Sequence, residues 1–207
     1  TGMIRVDLPV PVPNLAAQWM LGNLATLLAE LGDRWPACAS EMTDEMAIGL
    51  ILSRSLYNLD MAAVAEEIRV RANEAMAVAF GGCDLIVAAV NPGPAFPADA
   101  KTSSAEKSFI DWATANDGAR VAFRGVMGAV RVAGGFAPKL PSRLVAEVSE
   151  RFPDLVAMGA LTIISNVYGN PAISIPAGTL GGLPVGMQVL APHHRDGLLL
   201  DVALDIE

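Results

Sequence analysis

The chain has 207 residues, 53% hydrophobic and 17% charged, with a mean hydropathy of +0.43 and a net charge of −8. That acidic balance, with fourteen scattered basic residues, excludes the clustered Lys and Arg that nucleic-acid binding uses to neutralise phosphates. No apolar run approaches the ~18 residues of a membrane span, and Thr1-Gly-Met-Ile-Arg5 has neither the basic nor the apolar part of a signal peptide, so no membrane partner is expected and a cytoplasmic location is the default.

Pro9-Val-Pro-Val-Pro13 separates a first strand from a helix predicted at about Asn14 to Leu31, with Asn14 available as N-cap and Gly32 as the stop. A second helix is predicted from Thr43 to Tyr57. A third, about Met61 to Phe80, repeats apolar residues at Val64, Ile68, Ala72, Ala75 and Ala79, places Glu67 four residues before Arg71, and ends at Gly81-Gly82. Asp84 to Val90 reads as a continuously apolar strand, the pattern expected where both faces of a largely parallel sheet are covered. Asn91-Pro-Gly-Pro-Ala-Phe-Pro97 stops it. Helices are predicted over Ser104 to Ala113, Gly118 to Val132, Ser142 to Arg151 and Asp154 to Val167. Helices alternating with short buried strands indicate an α/β layer architecture.

The run Asn166-Val-Tyr-Gly-Asn-Pro-Ala-Ile-Ser-Ile-Pro-Ala-Gly-Thr-Leu-Gly-Gly-Leu-Pro-Val-Gly-Met-Gln-Val-Leu190 is the most informative in the chain. Ala172 to Ile175 and Val185 to Leu190 are predicted strands. Gly178 and Gly181-Gly182 supply a connection that takes positive φ without steric cost, and Pro171, Pro176 and Pro184 mark where the strands begin or end. Ile173 and Ile175 are expected to be buried beside Leu85 to Val90 or Val185 to Leu190.

This run resembles the C-terminal part of the amidase signature family, whose members read Asn-x-x-Gly-x-Pro-Ala-x-Ser-x-Pro-x-Gly and then Gly-Leu-Pro-x-Gly-x-Gln. Cys83-Asp-Leu-Ile-Val-Ala-Ala-Val-Asn-Pro-Gly-Pro-Ala-Phe-Pro97 is similar to the family's buried strand and Pro-rich loop, Gly2 to Pro9 to the strand after its catalytic region, and Asp196 to Glu207 to its closing helix. The resemblance implies a mixed, largely parallel sheet covered by helices, with residues 1–207 forming the C-terminal portion of a single amidase domain without an internal boundary. The family's Ser/cis-Ser/Lys triad needs a Gly/Ser-rich stretch, which this sequence does not contain. Ser103-Ser104 lies in Ala100-Lys-Thr-Ser-Ser-Ala-Glu-Lys107, without glycines. The chain is therefore expected to be the second half of an amidase, with no catalytic residue of its own.

Each chemical candidate in the sequence has a plain structural reading. Ser174 lies in Ala-Ile-Ser-Ile-Pro, outside any Gly-x-Ser-x-Gly elbow, and reads as a hydrogen-bonded strand residue. His193 and His194 read as a solvated loop pair. Cys83 reads as a small hydrophobe with nothing nearby to lower its pKa, and Asp84 as a partner for backbone donors. Cys38 and Cys83 make no disulfide framework, and the two histidines give no zinc spacing, so no metal and no cofactor are expected.

Ligands in open α/β sheets gather outside the carboxyl ends of strands, which points to Asn91, Pro92 and Phe96 as substrate-binding residues. The resemblance implies the same loop, although the family's Thr-Pro-Thr is replaced by Ala89-Val90-Asn91 before Pro92. Met158, Ile164, Asn166 and Tyr168 are weaker candidates. Three functions follow: an amidase whose small amide substrate meets a triad supplied by an N-terminal half or a dimer partner; a subunit of a glutamine-dependent amidotransferase; and a noncatalytic domain that binds another protein through an apolar face. The low charged fraction, against roughly 25% in ordinary domains, fits a chain with apolar surface facing a partner.

Overall fold

A computed structural model describes residues 13–90, 111–151 and 160–206. These form seven α-helices and three strands among the described residues: α1 (Ala16–Leu31), α2 (Asp44–Leu56), α3 (Leu59–Gly82), β1 (Ile86–Ala89), α4 (Asp117–Phe136), α5 (Lys139–Arg151), α6 (Ala160–Tyr168), β2 (Ala172–Leu180), β3 (Leu183–Leu190) and α7 (Asp196–Ile206). The chain divides into two compact units, one of Leu15–Glu67 with Lys101–Ala157, the other of Thr1–Asn14, Ile68–Ala100 and Met158–Glu207. The α/β class stands, with helices predominating over a small sheet.

The first unit is helical, and its helix ends follow from local chemistry. Thr43 caps α2 by accepting from the Met46 N–H, and Asp44 and Glu45 in the first turn complement the positive end of the helix dipole. Gly32 stops α1 at φ 51°. Asn14 is not the cap of α1: Leu15 occupies that position, with no side-chain bond to the helix. Asn58 serves twice, its Oδ1 accepting from the Met61 N–H to cap α3 and its Nδ2 donating to the Pro138 carbonyl between α4 and α5. Asn116 caps α4 by accepting from the Ala119 N–H at 2.9 Å.

Packing in this unit centres on α2. Ser53, fully buried, donates to the Leu21 carbonyl at 2.8 Å and so ties α2 to α1. Gly49 lets the two helices close up, since a Cβ there would lie 3.1 Å from Leu24. On its other side α2 sends Ile48 into a cluster with Ala113, Phe123 and Met127 of the segment before and within α4. Residues 111–114 are helical; the rest of the predicted Ser104 helix lies outside the described residues. The N-terminal strand, residues 154–159 of the predicted Asp154 helix and the Ser103-Ser104 pair lie outside them as well.

The second unit holds the sheet, in the order β1-β3-β2. Both pairings are antiparallel, with Ile86 opposite Leu190 and Ala172 also opposite Leu190. The apolar run at Asp84 to Val90 suggests a parallel sheet, and for the described strands that detail is corrected. A two-residue connection through Gly181 (φ 59°) and Gly182 (φ 81°) can join only antiparallel neighbours. Among the described strands β1 is also an edge, and its burial alternates, unlike that of a strand covered on both faces.

β2 runs past Ile175 to Leu180, through Pro176. The proline is tolerated because β2 is an edge among the described strands, and the register shifts between Pro176 and Thr179 beside Gly178 (φ 92°). Ile175 is buried and Ile173 half-buried on the sheet face where Val189, Ala191 and Leu199 of α7 form a core cluster. The expected covering of both isoleucines therefore holds.

Candidate functional site

The informative run folds as a helix, a turn and a hairpin. Gly169, at φ 75°, takes the left-handed position that closes α6, and its N–H donates to the Ser165 carbonyl at 2.8 Å. Asn170 follows, buried, and its Nδ2 donates to both the Pro171 and Ala191 carbonyls, at 3.0 and 3.1 Å. The Ala191 N–H returns a bond to the Pro171 carbonyl at 3.1 Å. One side chain thus clamps the entry of β2 to the exit of β3. Gln188, buried in β3, donates from Nε2 to the Ala89 carbonyl at 3.2 Å and ties the β1 edge to the hairpin.

Asn166, Asn170 and Gln188 of the run thus donate to backbone carbonyls. Sequence reasoning did not single out Asn170 or Gln188; the Asn-Pro step at Asn170, which favours turn initiation, was the available signal for the first. Asn170→Ala is expected to leave the Ala191 carbonyl without its donor, while the Pro171 carbonyl keeps the Ala191 N–H. At about 1–3 kcal/mol for an unsatisfied buried group, a loss of about that size should appear in urea unfolding, with Asn166→Ala close to neutral.

The candidate side chains are placed as follows. Ser174 is exposed in β2, opposite Gln188. Asn166 is exposed and donates to the Thr162 carbonyl of its own helix, and Ile164 is half-buried. Tyr168 is half-buried between aromatic neighbours: its ring stacks on Phe80 with centroids 6.1 Å apart and meets His193 at 4.3 Å. His193 Nε2 is 2.8 Å from the Tyr168 carbonyl, so this exposed imidazole docks on the end of α6, while His194 holds a left-handed turn at φ 64° before α7. Asn91, Pro92, Phe96 and Met158 lie outside the described residues.

Cys83 donates its thiol to the Ala79 carbonyl at 3.3 Å. Burial pushes the thiol up from its ordinary value, the adjacent Asp84 charge adds to this, and the Leu85 N–H opposes it. A raised thiol is the opposite of an activated nucleophile. Alkylation of Cys83 by iodoacetamide is thus expected to follow a pH profile displaced upward from that of free cysteine. The folded state holds the proton more tightly, so the thiol's contribution to stability is present at neutral pH and fades as pH rises through the folded pKa. A rate at neutral pH above that of free cysteine would contradict this placement.

This geometry is a scaffold, and comparison with known proteins shows what it is similar to. The family model described as Amidase matches residues 136–200. A glutamyl-tRNA(Gln) amidotransferase subunit of Methanothermobacter thermautotrophicus is 41% identical over 75 residues, covering 36% of this chain and 16% of that protein. The protein of the same name from Pseudomonas putida is 55% identical over 42 residues, covering 20% of this chain and 9% of its own length. Among solved structures, a bacterial aryl acylamidase of the amidase signature family superposes with a TM-score of 0.53 at 16% identity, over 96% of this chain and 34% of that one; at that identity the likeness concerns fold alone.

Residues 136–200, about a third of the chain, match the C-terminal region of the amidase signature family. Its matches span only a minor part of the length of these relatives. Among the described residues no helix is long and apolar enough to cross a membrane.

Proposed function

We propose that the chain is the C-terminal portion of a single amidase domain, part of an enzyme that hydrolyses a carboxylic amide to an acid and ammonia or an amine. A lysine would deprotonate a bridging serine, that serine would activate the nucleophile, and backbone amides would stabilise the oxyanion of an acyl-enzyme that water then cleaves. Those groups are supplied by another polypeptide segment, either an N-terminal half of the same enzyme or a partner chain. This chain contributes the hairpin scaffold and, through Asn91, Pro92 and Phe96, one wall of the substrate pocket. A cytoplasmic location belongs to the same reading.

The observation that carries the proposal is the match over residues 136–200, joined to a hairpin whose Asn170 and Gln188 are committed to backbone.

A second reading, a subunit of a glutamine-dependent amidotransferase, is favoured by the sequence relatives, which are amidotransferase subunits at 39–55% identity. Such a subunit would pass the ammonia released to another site. The test is an assay of small aliphatic and aryl amides, and of glutamine, with the purified chain alone and with a polypeptide bearing the lysine and Gly/Ser-rich stretch. Turnover only in the mixture is expected, with preference for glutamine selecting the second reading. Turnover by the chain alone, abolished by Ser174→Ala, would overturn both.

A further inference from the structure

The helical unit contains a cleft that plays no part in the signature. It has a volume of about 120 Å³ and lies between α2 and α4, with Ser40 and Thr114 among the residues that line it. Its apolar lining includes Ile48, Ile51 and Phe123, and Ile48 and Phe123 also belong to the buried cluster of this unit. Two arginines line the same space, Arg120 and Arg124, one helical turn apart on α4.

The two arginines are not equivalent. Arg120 Nη2 donates to Asp44 Oδ1 at 3.3 Å, with both side chains about half exposed. Arg124 makes no ion pair among the described residues. With Asp44 offset by Arg120, Arg124 is the remaining charge among the described residues that line the cleft, which include buried apolar side chains. A guanidinium presents a planar fork of donors that matches a carboxylate. The volume is near the ~150 Å³ of an engineered apolar cavity that holds benzene, which sets the ligand at about six non-hydrogen atoms.

We propose that this cleft binds a small monocarboxylate, its carboxyl group paired with Arg124 and its short apolar tail resting on Ile48, Ile51 and Phe123. Ser40 supplies a hydroxyl at the cleft. The fit selects against inorganic phosphate, which has no tail, and against neutral amides, which offer Arg124 no charge. So small a ligand gives an affinity on the order of 1 mM.

The experiment is calorimetric titration of the 207-residue chain with butyrate, with butyramide as the uncharged isostere and inorganic phosphate as the anion without a tail. Butyrate is expected to bind at least tenfold more tightly than either. Arg124→Gln should weaken butyrate at least tenfold and leave butyramide unchanged. Ala47→Leu, which fills the cleft, should abolish butyrate binding. Ser40→Leu, at an exposed position of the lining and away from the core, should weaken butyrate and serves if the first filling variant does not fold. Absence of butyrate binding at about 50 mM, equal affinity for butyrate and butyramide, or an Arg124→Gln variant that binds butyrate normally would each overturn the proposal.

Discussion

Val189→Asp is expected to unfold the sheet unit, whereas Val87→Asp, directly opposite it across the β1–β3 ladder, is expected to be tolerated. The two valines are cross-strand partners on one sheet face, but Val189 is 1% exposed within the cluster around Ile175 and Leu199, and Val87 is 58% exposed. An unpaired carboxylate at Val189 must be desolvated at a cost of several kcal/mol, comparable with the ~5–15 kcal/mol net stability of an ordinary domain. At Val87 the charge stays in water, and a change within about 0.5 kcal/mol is expected. Circular dichroism and urea unfolding of the two variants check this. A folded Val189→Asp protein would mean that α7 does not cover the sheet as described. If the open end of this face is covered in the complete enzyme, Val87→Asp should also weaken complementation by the triad-bearing segment while leaving the isolated chain intact.

In the helical unit, Leu50→Ala is expected to cost about 2–5 kcal/mol, the range for deleting a buried leucine side chain together with the cavity it leaves. Leu50 is fully buried in α2, three residues from Ser53, whose hydroxyl holds the Leu21 carbonyl. Leu59→Ala is the matched control, since Leu59 is 91% exposed and should change stability by no more than about 0.5 kcal/mol. The loss should appear as a lower urea midpoint at unchanged slope. A loss below about 1 kcal/mol for Leu50→Ala would show that α2 is not the central helix of its unit.

Much of this architecture is legible from local chemistry. The Gly32 stop and the Gly181-Gly182 connection are decided by a few adjacent residues, and each falls where the sequence places it. The apolar stripe of α3 likewise marks its buried side: Ala72 and Ala79 are buried and Ile68 half-buried. Pairing direction was less legible, because a short apolar strand reads alike whether it is parallel and central or antiparallel and at an edge. Pro176 looked like a strand end, yet an edge strand loses nothing by lacking its outward N–H.

Bonds between distant residues were invisible to pattern reading. Asn58 to Pro138, Ser142 to Asp60 and Asn170 to Ala191 join positions that only the folded chain brings together. The same holds for the cleft, whose arginines on α4 meet Asp44 of α2. The signature run announced its family through its glycines and prolines. Its two clamping amides, by contrast, look like any polar residues until their carbonyl partners are known.

On the proposed function, these 207 residues hold an amidase scaffold without a nucleophile of their own. This is tested most directly by treating the purified chain, alone and with a polypeptide bearing the lysine and Gly/Ser-rich stretch, with a serine-directed phosphonylating probe and locating the adduct by mass spectrometry. The expected result is no adduct on this chain in either sample and a single adduct on a serine of the other polypeptide. An adduct on Ser174, or on any other serine of this chain, accompanied by loss of amide turnover, would contradict the account.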